Sequence, residues 1–189
     1  DVAQVPEIDP DVLVNNAGLG VMAPLSTVPL DRLEAGFEVN VFGMVAMTQA
    51  AIPGMKAKGD GRIINMSSIA GVMSGPMTAP YALTKHAVEA FSRALRDELA
   101  PYGIDVTKLN PGPYATGFND AMVDGITAHI EDGDTPALEA EAFVRAVVLT
   151  GQLDPDEVVQ AMADLAEAES TPVETFLPDG IQELIAGGG

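Results

Sequence analysis

Tyr81 and Lys85 stand four residues apart in Tyr81-Ala82-Leu83-Thr84-Lys85, and Ser68 lies 13 residues before the tyrosine. On a helix, residues i and i+4 share a face. An ammonium held beside a phenol favours the phenolate, so this spacing predicts a Tyr81 pKa drawn from about 10 towards neutrality. A phenol tuned in that way is a general acid/base. Ser68, at the end of a preceding strand, would hydrogen-bond the same substrate oxygen. The three residues together suit the transfer of a proton to and from an alcohol or carbonyl oxygen.

These residues need elements to hold them. Asp11 to Asn15 (DVLVN) is a short valine-rich run between Pro10 and Asn-Ala-Gly, which predicts a buried strand. Pro29 to Lys58 reads as one long helix, with apolar residues from Leu30 to Val45 at spacings of three and four. Asp60-Gly61 makes a turn into a second strand, Arg62 to Met66 (RIINM), which ends at Ser67-Ser68. Gly71 to Pro80 is a loop. Tyr81 to Ala100 is a helix stopped by Pro101 and Gly103, and Ile104 to Leu109 (IDVTKL) is a third strand, closed by Asn110-Pro111-Gly112-Pro113. Helices follow over Phe118 to His129, Glu139 to Leu149 and Asp154 to Ala168. A last strand covers Val173 to Leu177, followed by a short tail helix and a frayed glycine end, Gly187 to Gly189.

Strands alternating with helices imply βαβ units, and so an α/β fold with a doubly wound parallel sheet between two helical layers. Ligands of such sheets bind beyond the carboxyl ends of the strands. Asn15-Asn16-Ala17-Gly18, Ser68 and Pro111-Gly112 all fall there.

The 189 residues suffice for one core and one domain, residues 1–189, with 47% apolar content and a mean hydropathy of +0.20. No apolar run reaches the roughly 18 residues of a membrane span, and no secretory leader is visible. No membrane association is therefore expected. The chain has no cysteine, and its two histidines, His86 and His129, lack a ligand pattern, so neither disulfide nor metal site is expected. A net charge of −19 argues against nucleic acid and anionic lipid as partners. The expected compartment is the cytoplasm.

Asn15-Asn16-Ala17-Gly18, Asn40 in VNVFG, Ser68 in INMSS, Tyr81 with Lys85, and Pro111-Gly112 with Thr116 occur here in order and in register. Together they resemble the classical short-chain dehydrogenase/reductase family, over nearly the whole chain. The resemblance implies a Rossmann-like domain and a reaction between an alcohol and a ketone or aldehyde, with NAD or NADP as hydride carrier. It implies Tyr81 as acid/base, Lys85 as the group that lowers its pKa and holds the nicotinamide ribose, and Ser68 as the residue polarising the substrate oxygen. Asn40 would hold a water that links Lys85 to solvent. Asn16, Ala17 and Gly18 would line the cofactor cleft near the adenosine, and Pro111, Gly112 and Thr116 would meet the nicotinamide. The implied partner is a small carbonyl or alcohol substrate, and the implied assembly a homodimer or homotetramer.

Plainer roles stand beside these. Ser68 can cap a turn, and Ser67 competes with it, although the spacing to Tyr81 favours Ser68. Asn40 can bond backbone in a helix kink. Asn15-Asn16 and Pro111-Gly112 can be ordinary strand stops. His86 points about 100° away from Lys85. Met73, Met77 and Met122 flank the expected cleft, and apolar loops there suit an apolar substrate.

The family pattern opens with a strand and a TGxxxGxG turn for the pyrophosphate, and this sequence contains none. The expectation is an N-terminally truncated fold lacking the first β-α-β-α-β portion, on the order of 60 residues. Asp1-Val2 would be the remnant of a third strand. NAD and NADP are then indistinguishable, and the strand at Asp11 to Asn15 lies at an open sheet edge prone to aggregation. An inactive fragment or a binding and assembly module is the alternative. A sugar-nucleotide epimerase is disfavoured by NNAG, and an enoyl reductase by the four-residue Tyr–Lys spacing.

Overall fold

A computed structural model describes residues 6–183. The proposed strand remnant at Asp1-Val2 and the glycine end at Gly187 to Gly189 lie outside the described residues; of the tail helix, Ile181 to Glu183 are helical.

Four parallel strands form the sheet: β1 (Val12–Asn15), β2 (Gly61–Met66), β3 (Ile104–Pro111) and β4 (Glu174–Leu177), in the order β1-β2-β3-β4. Leu13 pairs with Ile63, Ile63 with Val106, and Leu109 with Thr175. Ile63 and Ile64 point to opposite faces and both are fully buried, as a parallel strand covered on two sides requires. On one face Leu13, Ile63, Ile104 and Val106 pack with Ala51 and Met55 of α2 (Met44–Lys58) and with Leu95 and Leu99 of α3 (Ala79–Leu99). On the other face Ile64, Leu109 and Leu177 pack with Leu165 of α6 (Asp156–Glu167). The sheet is thus doubly wound, as expected. Among the described residues β1 pairs only with β2, so its outer side is a sheet edge, with Val14 40% exposed.

The expected single helix over 29–58 is three pieces. α1 (Leu30–Phe37) runs into a π-helical segment, Glu38–Gly43, which continues into α2. By length and composition the run Leu30–Lys58 is apolar enough to cross a bilayer, which corrects the expectation that no segment is. In this fold one face of it packs inward: Asn40, Met44, Thr48, Ala51 and Met55 are buried, and Asn40 and Thr48 are bonded to neighbouring elements, while Leu30, Phe42 and Met47 are exposed.

The helix expected over 118–129 is α4 (Phe118–Asp124) and a separate 3₁₀ turn, Thr127–His129, with Gly125 at the break. α5 starts at Thr135 rather than Glu139 (Thr135–Leu149), because Asp134 caps it through the Ala137 N–H at 3.1 Å and Pro136 fits its first turn.

At the amino edge of the sheet, two turns touch. Gly59 ends α2 at φ +69° and Gly103 ends the turn after α3 at φ +73°, both left-handed. A Cβ on Gly103 would lie 2.3 Å from the Gly59 carbonyl oxygen, whereas a Cβ on Gly59 would meet nothing within 4 Å. Gly59→Ala is expected to destabilise by about 1 kcal/mol from the backbone conformation alone. Gly103→Ala adds a backbone collision, and its cost should reach about 3 kcal/mol. Urea unfolding of the two variants checks the order; equal losses would contradict it.

Candidate active site

The carboxyl ends of the strands are joined by polar side chains before the cleft begins. Asn15 donates from Nδ2 to Thr48 Oγ1 (3.0 Å) and to Asn65 Oδ1 (2.8 Å), and Asn65 donates to Ser92 Oγ (2.9 Å). Asn15 is therefore a strand tie, while Asn16, Ala17 and Gly18 line the cleft. Asn40 sits in the π-helical segment. It accepts the Leu19 N–H at 2.7 Å and donates to the Leu19 carbonyl at 2.8 Å and to Thr84 Oγ1 at 2.9 Å. Its amide clamps the loop after β1 to α3. Three bonds leave a single lone pair on Oδ1 for any water that would link it to Lys85.

Of the two serines after β2, only Ser68 faces the cleft freely. Ser67 is buried and donates from Oγ to Glu89 Oε1 at 2.5 Å. Ser68 caps the 3₁₀ turn Ile69–Gly71 by accepting the Ala70 N–H at 3.1 Å, and its hydroxyl lies beside the Tyr81 phenol. Ser68 is thus a turn cap whose side chain also lines the cleft. Tyr81, in the first turn of α3, packs against Phe118 with ring centroids 5.8 Å apart. Lys85 Nζ lies 5.6 Å from the Tyr81 ring centroid and donates to the Met66 carbonyl at 2.8 Å. His86 faces away, its Nδ1 against the Ala82 carbonyl oxygen at 2.9 Å.

The pKa expected from spacing is reversed. Burial pushes the Tyr81 phenol above its ordinary value, and the Ser68 hydroxyl only partly opposes this. Burial also pushes the Lys85 ammonium down, to about 8, against the pull of the Glu89 charge. Spacing brings phenol and ammonium together, but their shared low-dielectric setting penalises both charged forms.

Glu89 is the residue that the sequence reading missed. With Tyr81 and Lys85 it forms a stripe at four-residue intervals along α3. Its carboxylate accepts from Ser67 Oγ, from Asn110 Nδ2 at 2.6 Å and from Lys108 Nζ. Lys108, fully buried in β3, also reaches Glu174 Oε2 at 3.0 Å, and Asn110 donates to the Ser68 carbonyl at 3.2 Å. Burial pushes the Glu89 carboxyl up, but the hydrogen bonds from Lys108, Ser67 and Asn110 and the Lys108 charge outweigh it and hold the group below its usual value. A lysine inside an apolar strand demands a buried anion, and that was the available signal.

All ten residues singled out from the sequence fall at this one edge of the sheet. Nine of them, Asn40 excepted, line a single cleft of about 1080 Å³. Gly112 donates its N–H to the Leu177 carbonyl at 2.7 Å, and Thr116 Oγ1 accepts the Phe118 N–H at 3.3 Å just before α4. Met73 and Met122 line the cleft; Met77 instead packs beneath Tyr81.

Lys85 carries a pH signature. An unfolded lysine keeps its proton to about pH 10.4. Between about pH 8 and 10.5 the unfolded chain binds the extra proton, so stability rises with pH through that window. Below it, the buried charge costs on the order of 3 kcal/mol. Lys85→Met should therefore be the more stable chain at pH 7, with an advantage that vanishes by about pH 10.5. Urea unfolding across that range checks it; a difference independent of pH would contradict the burial argument.

Comparison with known proteins gives this geometry its kin. Residues 3–126 match the sequence model of the short chain dehydrogenase family. An uncharacterized oxidoreductase of Bacillus subtilis, YusZ, is 34% identical over 158 residues, covering 82% of this chain and 56% of its own length. An NADPH-dependent 3-dehydrocapnine reductase of Ornithobacterium rhinotracheale is 47% identical over 109 residues, covering 56% of this chain and 38% of its own. A solved short-chain dehydrogenase from Streptomyces avermitilis superposes with a TM-score of 0.79 at 29% identity, over 96% of this chain and 64% of that one. The chain thus spans between about a third and two thirds of the proteins that it matches. With that match and this fold, the chain belongs to the short-chain dehydrogenase family.

Proposed function

We propose that the protein interconverts a secondary alcohol and a ketone, or reduces an aldehyde, with NAD or NADP as its hydride carrier. The observation that carries this reading is the convergence of Ser68, Tyr81 and Lys85 in one cleft at the carboxyl ends of parallel strands. A binding or assembly module has no use for a buried phenol and ammonium side by side.

The cleft suits a dinucleotide. Among the described residues no acidic side chain lines it, and Lys85 is the one cation there. Asn16, Ala17 and Gly18 would hold the carrier on one side, Pro111, Gly112 and Thr116 on the other, with Tyr81 and Lys85 towards its ribose hydroxyls. The nicotinamide, when bound, supplies or accepts the hydride.

The chain's own residues handle the proton. In reduction, negative charge develops on the carbonyl oxygen as its carbon gains hydride. Tyr81, kept neutral by burial, donates its proton to that oxygen and is left as phenolate. The Ser68 O–H donates a hydrogen bond to the same oxygen. Lys85, when protonated, balances the phenolate. Oxidation runs the same steps backwards, with the Tyr81 phenolate taking the proton from the alcohol oxygen.

Tyr81→Phe is expected to lower kcat by about 10²–10⁴-fold while leaving NAD(P)H binding intact. Ser68→Ala should cost about 10²–10³-fold. Steady-state turnover of a ketone panel, together with a fluorescence titration of NADH and NADPH, checks both. Near-normal turnover in Tyr81→Phe would sink the assignment.

A further inference from the structure

The cleft has two unlike walls. One is polar: the strand-end loops with Ser68, Tyr81 and Lys85. The other comes from α4, α5 and α6 and from Met22, and it is built of hydrocarbon and thioether groups, among them Met122, Val144, Val148, Val158 and Met162. Among the described residues that line it there is no aspartate, glutamate, arginine or histidine. Lys85, the one cation, has its ammonium on the Met66 carbonyl and beside the tyrosine. The nearest amide, Asn119, is occupied by Gln152 Oε1 at 3.1 Å and by the Tyr114 carbonyl at 3.4 Å.

The apolar wall runs from the buried phenol to the surface. Phe143, Val147 and Val159 all line the cleft and yet are 69%, 55% and 57% exposed. Large apolar side chains grouped in the open at the rim of a cavity mark a place where apolar matter binds.

We propose that the cleft takes an uncharged carbonyl compound with an extended hydrocarbon chain: the carbonyl sits at Tyr81 and the chain leads out along α5 and α6, past Val147 and Val159. This rests on the alcohol–ketone chemistry proposed above. A carboxylate-bearing substrate would need a cation on the outer wall, and a polyhydroxylated one would need rows of free donors and acceptors; the wall supplies neither. Burying either against it would leave polar groups unpaired. A hydrocarbon chain loses nothing there and gains with each methylene.

The test is a chain-length series in the intact protein: methyl ethyl, methyl butyl, methyl hexyl and methyl octyl ketone, with pyruvate and fructose as charged and polyhydroxylated controls, each with NADH and with NADPH. Expected is a rise in kcat/KM of roughly three- to fourfold per methylene until the wall is covered, with both controls poor. Val147→Asp and Val159→Asp, at side chains exposed enough to leave folding intact, should cut the methyl octyl to methyl ethyl rate ratio at least about tenfold. A flat series, or preference for pyruvate or fructose, overturns the inference and leaves the reaction standing. If no carbonyl is turned over with either carrier, the reaction itself fails, and displacement of Nile red decides the wall separately. Displacement by methyl octyl ketone at far lower concentration than by methyl ethyl ketone supports it; equal displacement overturns it.

Discussion

Beneath the cleft, one carboxylate gathers three donors from two neighbouring strands, and much of the site is fixed by it. Glu89 is the one buried acidic side chain among the described residues. It receives Ser67 from the end of β2 and Lys108 and Asn110 from β3, while its own helix carries Tyr81 and Lys85. Removing a carboxylate and an ammonium from water costs several kcal/mol per ion, and the loss is recovered only where geometry satisfies the remaining hydrogen-bonding positions. Such an arrangement tolerates little sliding. Asn110 also holds the Ser68 carbonyl, so β2, β3 and α3 are tied to the backbone of the serine through one cluster centred on Glu89.

Burial explains the chemistry above that layer as well as the packing below it. The phenol of Tyr81 stays protonated and the ammonium of Lys85 is held loosely, because each charge would stand in a medium that solvates it poorly. In the proposed reaction, charge developing on a substrate oxygen beside Ser68 and Tyr81 would meet O–H groups already in place to stabilise it. The burial that makes an ion expensive at rest would also strengthen its stabilisation in that proposed reaction.

Much of this was legible in the residues. The runs VLVN and RIINM are both strands; β2 is buried on both faces as expected, whereas in β1 only Leu13 is buried and Val14 lies exposed. The Tyr81–Lys85 interval survives translation into structure because helical periodicity is local. The π-helical segment was not legible, since apolar spacing continues through it and its reason, the clamp on Leu19, lies 21 residues away. Glu89 was passed over because its partner Lys108 is 19 residues further on and no local pattern joins them. The sign of the Tyr81 shift was misjudged for a different reason: spacing reports proximity, whereas the dielectric around a group is a property of everything packed against it. The start of α5 could have been read, because Asp134-Thr135-Pro136 is an ordinary cap followed by a helix-opening proline.

The π-helical segment has a consequence for how this helix can vary. Each residue added to a helix rotates everything beyond it by about 100°. Glu38–Gly43 therefore acts as a phase shifter between two registers: α1 turns Gly36 inward by one register, while α2 turns Met44, Thr48, Ala51 and Met55 inward by another. Loss of a single residue there would restore a regular helix and swing one half out of phase with the sheet, carrying Asn40 off the Leu19 backbone. Substitutions along the solvent face of this helix are cheap by comparison, so the lineage of such a chain is freer to change the letters of this stretch than their number.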